Sequence, residues 1–289
     1  MKLSIVIPTY NASPWIAQCL DSIRANAPKH DYEIIAVDDH STDDTIEIIR
    51  TQFSDVQVFS NPRNVGFSRT VNVGLRAGTG EHVFVLNNDT WVHPGALDAL
   101  IAYLDATPEA GIVGPRVENG DGSLQPQCRR FVPSPVGALL YFTRLSRRRY
   151  FVTSHDERAT HDVDSLSGAA MLVRRAVIEQ IGDFDETFFL YGEDMDFCWR
   201  AKLAGWRVVY HPVAVITHFG GQGGTGKRKL NATIEFHRAM WLFYRKHMAP
   251  RAILPMRALV FSGIALRGAM VVAINAVRPG GNPGTAKPQ

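Results

Sequence analysis

Four short apolar runs, at 3–7, 33–37, 56–59 and 82–86, alternate with three segments at 14–25, 42–53 and 66–77 whose apolar residues recur at helical spacing. The runs are rich in Val, Ile and Phe, as buried strands are. Asn11 or Ser13 serves as a cap for the first helix, with Pro14 in its first turn. Ser41 and Thr42, followed by Asp43 and Asp44, open the second. This β-α-β-α-β-α-β order predicts an α/β fold with a doubly wound, mostly parallel central sheet. Ligands of such sheets bind outside the carboxyl ends of the strands. The residues just after each strand are therefore the ones to examine.

Beyond residue 86 the spacing predicts a helix at 95–104 and a strand at 111–115. The stretch 118–160 is irregular and basic, with Arg129-Arg130 and Arg147-Arg148-Arg149. Periodicity returns as a strand at 168–173, helices at 175–181 and 194–204, and a strand at 206–217, or two broken at Pro212. A glycine-rich stretch at 220–226 precedes helical segments at 230–247 and 251–277. The tail, 279–289, is rich in Pro and Gly and reads as disordered.

The chain's 289 residues, 45% hydrophobic and 20% charged, suit one large α/β domain or two small ones. A net charge of +3 gives no case for nucleic-acid binding. Cys19, Cys128 and Cys198 are too few and too scattered for a disulfide framework or a zinc site, which fits a reducing, cytoplasmic compartment. The run at 3–7 ends at Pro8 without a basic region or cleavage site, so a signal peptide is not expected. Polar residues interrupt the apolar runs through about residue 250, so no spanning helix is expected before that point.

The first strand exits through Pro8-Thr9-Tyr10-Asn11 rather than through G-x-G-x-x-G, which argues against a dehydrogenase. Pro8 and Tyr10 offer a rigid turn and an aromatic face for a base or ribose; an ordinary strand exit would look the same. The second strand ends at Asp38-Asp39, where one carboxylate can cap the helix and Asp39 can meet a pyrimidine imide or a ribose. The third leads into Asn64, Gly66, Arg69 and Asn72, a helix start with small and amide residues and a cation for a phosphate. The fourth ends in Asn87-Asn88-Asp89-Thr90. This is good turn chemistry, and it also puts a carboxylate where Mg²⁺ or Mn²⁺ would bridge a diphosphate. In the second half, Glu193, Asp194 and Asp196 begin a helix, where the dipole alone favours acids.

In this order and spacing the motifs resemble those of inverting family 2 glycosyltransferases with the GT-A fold, with the bacterial rhamnosyltransferase-like members as the nearest subgroup. The second half agrees, in Ser167–Val173, Ile181–Glu186 and Tyr191–Arg200. The resemblance covers roughly residues 3–225. It implies a sugar-nucleotide-binding half at 1–117, an acceptor-binding and catalytic half at 118–229, and C-terminal helices at 230–278. It implies nucleotide contacts from Pro8, Thr9, Tyr10, Asn11, Asp39, Asn64, Gly66, Arg69, Asn72 and Asn88. The divalent cation falls to Asp89. Asn87 stands where a second metal carboxylate is common, which makes His218 the expected helper. Asp194 is the implied general base, with acceptor contacts from Gly168, Ala169, Glu193 and Asp196.

The reaction so implied moves a hexose or deoxyhexose from a UDP- or dTDP-sugar to a hydroxyl of a glycan or lipid-linked acceptor. Rival readings are a sugar-phosphate nucleotidyltransferase, which wants a glycine- and basic-rich loop after strand one, and a non-catalytic subunit of a polysaccharide assembly. Gly221–Lys227 matches most of a P-loop but continues with Arg228 instead of Ser or Thr. It reads as a basic loop or a lid whose Lys227, Arg228 and Lys229 cover the diphosphate. The apolar segment 251–277 carries Arg257 and Arg267, which favours an interfacial or docked helix over a spanning one. Together with Arg144 and Arg147–Arg149 it suggests peripheral attachment to the inner face of the plasma membrane.

Overall fold

The computed structural model describes residues 1–132, 155–220 and 229–277. The basic cluster at 144 and 147–149, the glycine-rich loop at 221–228 and the tail at 279–289 lie outside the described residues.

The N-terminal half is wound as the apolar periodicity predicts. Strands β1 (Leu3–Thr9), β2 (Tyr32–Asp38), β3 (Gln57–Ser60) and β4 (His82–Leu86) are joined by helices α1 (Ile16–Ala25), α2 (Thr45–Gln52) and α3 (Phe67–Ala77). Their pairings are all parallel, in the order β3-β2-β1-β4. Every residue of β1 and β4 is buried, as expected for strands covered on both faces.

Past β4 the sheet becomes mixed. The elements that follow are β5 (Thr90–Val92), α4 (Ala96–Ala106), β6 (Ala110–Glu118), β7 (His161–Asp162), β8 (Ala170–Arg174), α5 (Arg175–Ile181), α6 (Glu193–Leu203) and β9 (Arg207–His218). Strand β8 lies antiparallel between β4 and β6, and β9 runs parallel to β6. Pro212 does not split β9; a register shift opposite Pro115 and Arg116 absorbs it. One sheet thus runs through both halves of the chain, over one main hydrophobic core.

A smaller core joins Phe188 to the C-terminal helices α7 (Lys229–Phe243) and α8 (Leu254–Val277). Between them lie a π-helical turn, Tyr244–Met248, and a 3-10 turn, Ala249–Arg251. The stretch Leu254–Ala273 has the length and apolarity to cross a membrane, and 11% of its 18-residue apolar window is buried. It docks through Val260 and Ile264 and leaves Leu254, Leu259, Leu266 and Met270 exposed.

Candidate active site

The carboxyl ends of β1, β2 and β4 meet at one edge of the sheet. Asn11 and His40, just past β1 and β2, hold left-handed φ angles of 51° and 66°, which non-glycine residues adopt sparingly and mostly where neighbours enforce it. The neighbours here are hydrogen bonds. The Asn11 Oδ1 accepts from the Thr42 amide, and Ser41 Oγ accepts from the Asn11 amide. Asn88 donates to the Pro8 carbonyl, tying the β4 exit to the β1 exit. Thr9 Oγ1 sits against Asp38 at 3.4 Å, and Tyr10 is half-buried beside it. The helix caps are not the expected ones: no side chain caps α1, and Asp43 instead accepts from the Ser13 and Thr45 amides, linking two loops.

Asp39 forms a closed knot. It accepts from Val65 N at 2.8 Å, Gly66 N at 3.0 Å and Asn61 Nδ2 at 3.0 Å. A carboxylate offers about four acceptor positions, so about one remains for a base or ribose. The opening expected at the start of α3 is filled from within. Phe67 N donates to Phe189 O, and Ser68 Oγ to Phe188 O. Gly66 is needed for its φ of 89° and because a Cβ there would lie 2.5 Å from the Phe189 carbonyl. Asn72 is not brought to the strand ends. It is fully buried, its amide clamping both the N–H and the carbonyl of Phe184. Arg69 and Asn64 are exposed, with Arg69 paired to Glu186 at 3.2 Å.

At the β4 exit Asp89 and His218 stand together, Nε2 to Oδ1, at 3.1 Å. Pairing of β5 with β9 places Thr90 opposite His218 and so sets this contact. The histidine's tautomer follows from its other partner, Gln125, which the sequence did not single out. Gln125 Nε2 donates to the His218 carbonyl, so its Oε1 faces His218 Nδ1 at 3.0 Å and must accept a proton from it. In the neutral ring the Nε2 lone pair then faces both the Asn87 amide, 3.3 Å away, and Asp89, 3.1 Å away. Two acceptors at that distance need a proton or a cation between them. Adjacent ligands on an octahedral Mg²⁺, each about 2.1 Å away, are about 3 Å apart, so the pair fits a divalent ion. Beneath it Cys19 is buried, and burial pushes its thiol up to about 12, which keeps it neutral.

A second cluster, Glu81, His82 and Asp105, also has metal-like spacing. It sits at the opposite end of β4, and Lys2 already supplies its cation, 2.9 Å from Glu81 and 2.8 Å from Asp105. It offers nothing to a ligand at the carboxyl edge.

One strand away from Asp89 stands Asp194, at the start of α6. Ala169 O accepts from Asn87 N, and Gly168 N donates to Asp194 Oδ2, so the entry to β8 bridges the two carboxylate sites. Arg130 Nη2 is 2.7 Å from Asp194 Oδ2, both largely buried. In sequence terms Arg130 is only part of a basic stretch. Glu193, next to it, is 6% exposed, and its Oε2 has no hydrogen-bond partner. Burial, reinforced by the Asp194 charge, pushes its carboxyl up to about 8. Glu193 is thus held protonated at neutral pH, beside the ion-paired Asp194.

Residues 4–182 match the profile of Glycosyl transferase family 2. The chain belongs to that family. The N-acetylglucosaminyl-diphospho-decaprenol L-rhamnosyltransferase of Mycobacterium tuberculosis is 29% identical over 93% of this chain and 92% of its own. A mannosyltransferase from Pyrobaculum calidifontis, solved with GDP-Man and Mn²⁺, superposes with a TM-score of 0.59 at 20% identity, covering 96% of this chain and 79% of that one. Staphylococcus aureus TarS 1-349 with UDP gives 0.54 at 21%, covering 83% of this chain and 65% of that one. These neighbours share the GT-A fold, and this family 2 chain is accordingly a glycosyltransferase.

Family membership does not make every acid of α6 catalytic. Asp196, expected at the acceptor, is fully buried between Arg200, Lys246 and His247 at 2.8, 2.7 and 2.6 Å. Burial alone would raise its carboxyl; the hydrogen bonds from His247, Lys246 and Arg200 outweigh it and hold it at about 2. It pins the π-helical turn to α6. Asp196→Asn should cost about 1.5–3 kcal/mol in urea unfolding, because Arg200 and His247 lose a fully buried, charged hydrogen-bond partner while Lys246 keeps Asp185. The wild-type clamp, depressed below its ordinary 3.8, should be stable above pH 4 and lose its contribution as pH falls toward 2. Activity per folded molecule should suffer far less in Asp196→Asn than in Asp194→Asn.

Proposed function

We propose that the chain transfers a hexose or deoxyhexose from a UDP- or dTDP-sugar to a hydroxyl of a lipid-linked or cell-surface glycan, with inversion. The observation that carries this reading is the bridge Asn87–Ala169–Gly168–Asp194. It sets a metal-type pair, Asp89 and His218, and a buried carboxylate on either side of one strand entry. Asp89 and His218 would hold Mg²⁺ or Mn²⁺, which when bound offsets the charge of the diphosphate leaving group. Pro8, Thr9, Tyr10 and Asn11, with Asn88 behind them, shape the floor for the nucleotide, and Asp39 keeps one acceptor for it. Asp194 takes the proton from the acceptor hydroxyl. That oxygen bonds to the anomeric carbon on the face opposite the diphosphate, and the nucleoside diphosphate departs with the bonding pair. Glu193, Gly168 and Ala169 border the acceptor's side.

The mycobacterial relative's name joins a rhamnose donor to a diphospho-decaprenol acceptor, which supports a deoxyhexose and a lipid carrier here. A carrier of that kind favours a peripheral place on the cytoplasmic face of a membrane. The test is nucleoside diphosphate release from a panel of UDP- and dTDP-sugars, with Mn²⁺ or Mg²⁺ and with EDTA, in the presence of an N-acetylglucosaminyl-diphospho-polyprenol. One donor is expected to turn over, with metal dependence and an inverted anomeric centre by NMR. Nucleotide binding without turnover of any donor would favour a non-catalytic subunit.

A further inference from the structure

Beside the α6 acids lies a half-open cavity of about 670 Å³, lined mainly by α6, α7 and α8. It falls within the 300–1,000 Å³ range of ligand sites. Its chemistry is divided. Arg130, Glu193 and Asp194 line it on the α6 side, while Met240, Phe243 and Ile264 line it from α7 and α8. The Glu193 Oε2, buried and without a partner among protein atoms, belongs to this lining. Arg267 of α8 is a further lining residue and brings a guanidinium to the cavity.

We propose that this cavity holds the hydrocarbon chain of a lipid-linked acceptor and delivers its head group to Asp194. The proposal rests on the transferase reading above and adds the place where the lipid sits. Three observations select this occupant. The cavity is continuous with the candidate base, so whatever fills it also reaches the reacting hydroxyl. An apolar lining that includes a guanidinium suits an amphiphile with a phosphate at its head. The outer face of α8 exposes Leu254, Leu259, Leu266 and Met270, an apolar surface that would border a bilayer from which such a chain enters. Unsupported acceptors, such as a free oligosaccharide, would leave the apolar part unfilled.

The direct test is photolabelling of the full chain with a diazirine-bearing polyprenyl phosphate. Labels are expected on inward residues such as Met240, Phe243 and Ile264. Met240→Trp, which fills the cavity from α7, should cut that labelling. It should also raise KM for a polyprenyl-linked acceptor about tenfold, the worth of roughly two buried methylenes. Turnover of a short-chain, water-soluble acceptor should stay unchanged. Ile264→Trp makes the same test from α8 if Met240→Trp does not fold, as judged by thermal unfolding. Labelling confined to Leu259, Leu266 and Met270, or untouched by both variants, would overturn the proposal and leave only surface contact with lipid. Labelling does not depend on turnover. Inward labels without donor turnover would therefore keep the lipid site and reject the transferase reading, and donor turnover with outward labels would do the reverse.

Discussion

Asp194→Asn should lower kcat for sugar transfer by about 10²–10⁴-fold, the usual worth of a general base. Binding of UDP with Mn²⁺, measured by calorimetry, should stay near the wild-type value. The asymmetry follows from position. Asp194 is one strand removed from the Asp89–His218 pair and touches it only through the β8 entry. Asparagine keeps the shape of the side chain but discards the charge that pairs with Arg130 and the basicity that removes a proton. Arg130 retains Ser165 Oγ and the Leu166 carbonyl as acceptors, so part of its demand is still met. The loss of a buried partner is nevertheless costly. Asp194→Glu, which preserves the charge and displaces the carboxylate by one methylene, separates lost chemistry from lost folding.

Glu193→Gln is the control that assigns the proton. Burial and the Asp194 charge hold Glu193 protonated at neutral pH, so an amide is nearly isosteric with what is there. Its transfer rate should stay within about tenfold of wild type. It should also flatten the pH dependence of stability. A carboxyl raised from its ordinary 4.5 to about 8 binds more protons folded than unfolded across that window. Wild-type melting temperature should therefore decline as pH rises from about 5 to 8, and the glutamine variant should lose that slope. If Glu193→Gln is the inactive variant and Asp194→Asn the active one, the base is Glu193.

What was legible in the chain follows from the range of the forces involved. The apolar runs and helical spacing are local, so the strands and helices of the first 110 residues fall within a few positions of expectation, except the short β5, where only turn chemistry is legible. The antiparallel insertion of β8 between β4 and β6 is a long-range pairing that no local pattern carries. The site divides in the same way. Asp89, His218 and Asp194 stand out as candidates through motif order. Gln125 and Arg130 do not, because each acts through one contact made across the fold, to His218 and to Asp194. Asn72 and Asp196 show the opposite error. Both sit inside polar motifs, yet burial turns them inward to clamp Phe184 and the π-helical turn. A motif marks a residue as constrained, and only the surroundings show whether a ligand or the fold imposes the constraint.

Asp89→Ala should abolish metal-dependent nucleotide binding, and with it transfer, while leaving any metal-free binding of UDP in place. Asn87 aims its amide at His218 Nε2, 3.3 Å away, and supplies no charge, so Asp89 is the one carboxylate against His218 among the described residues. His218→Ala should weaken Mn²⁺ strongly but less completely, since a neutral imidazole is lost rather than the anion. Gln125→Ala should fall between His218→Ala and wild type, with Mn²⁺ affinity about 10–100-fold weaker. Gln125 would act on a bound ion only through His218: it accepts the Nδ1 proton and so leaves Nε2 free to serve as a ligand beside Asp89. A merely structural histidine would give a different order. In that case His218→Ala and Gln125→Ala would lower thermal stability together, and titration of Mn²⁺ against UDP binding would be unmoved in both. Calorimetry of UDP at a series of Mn²⁺ concentrations, run beside thermal unfolding of each variant, distinguishes the two outcomes.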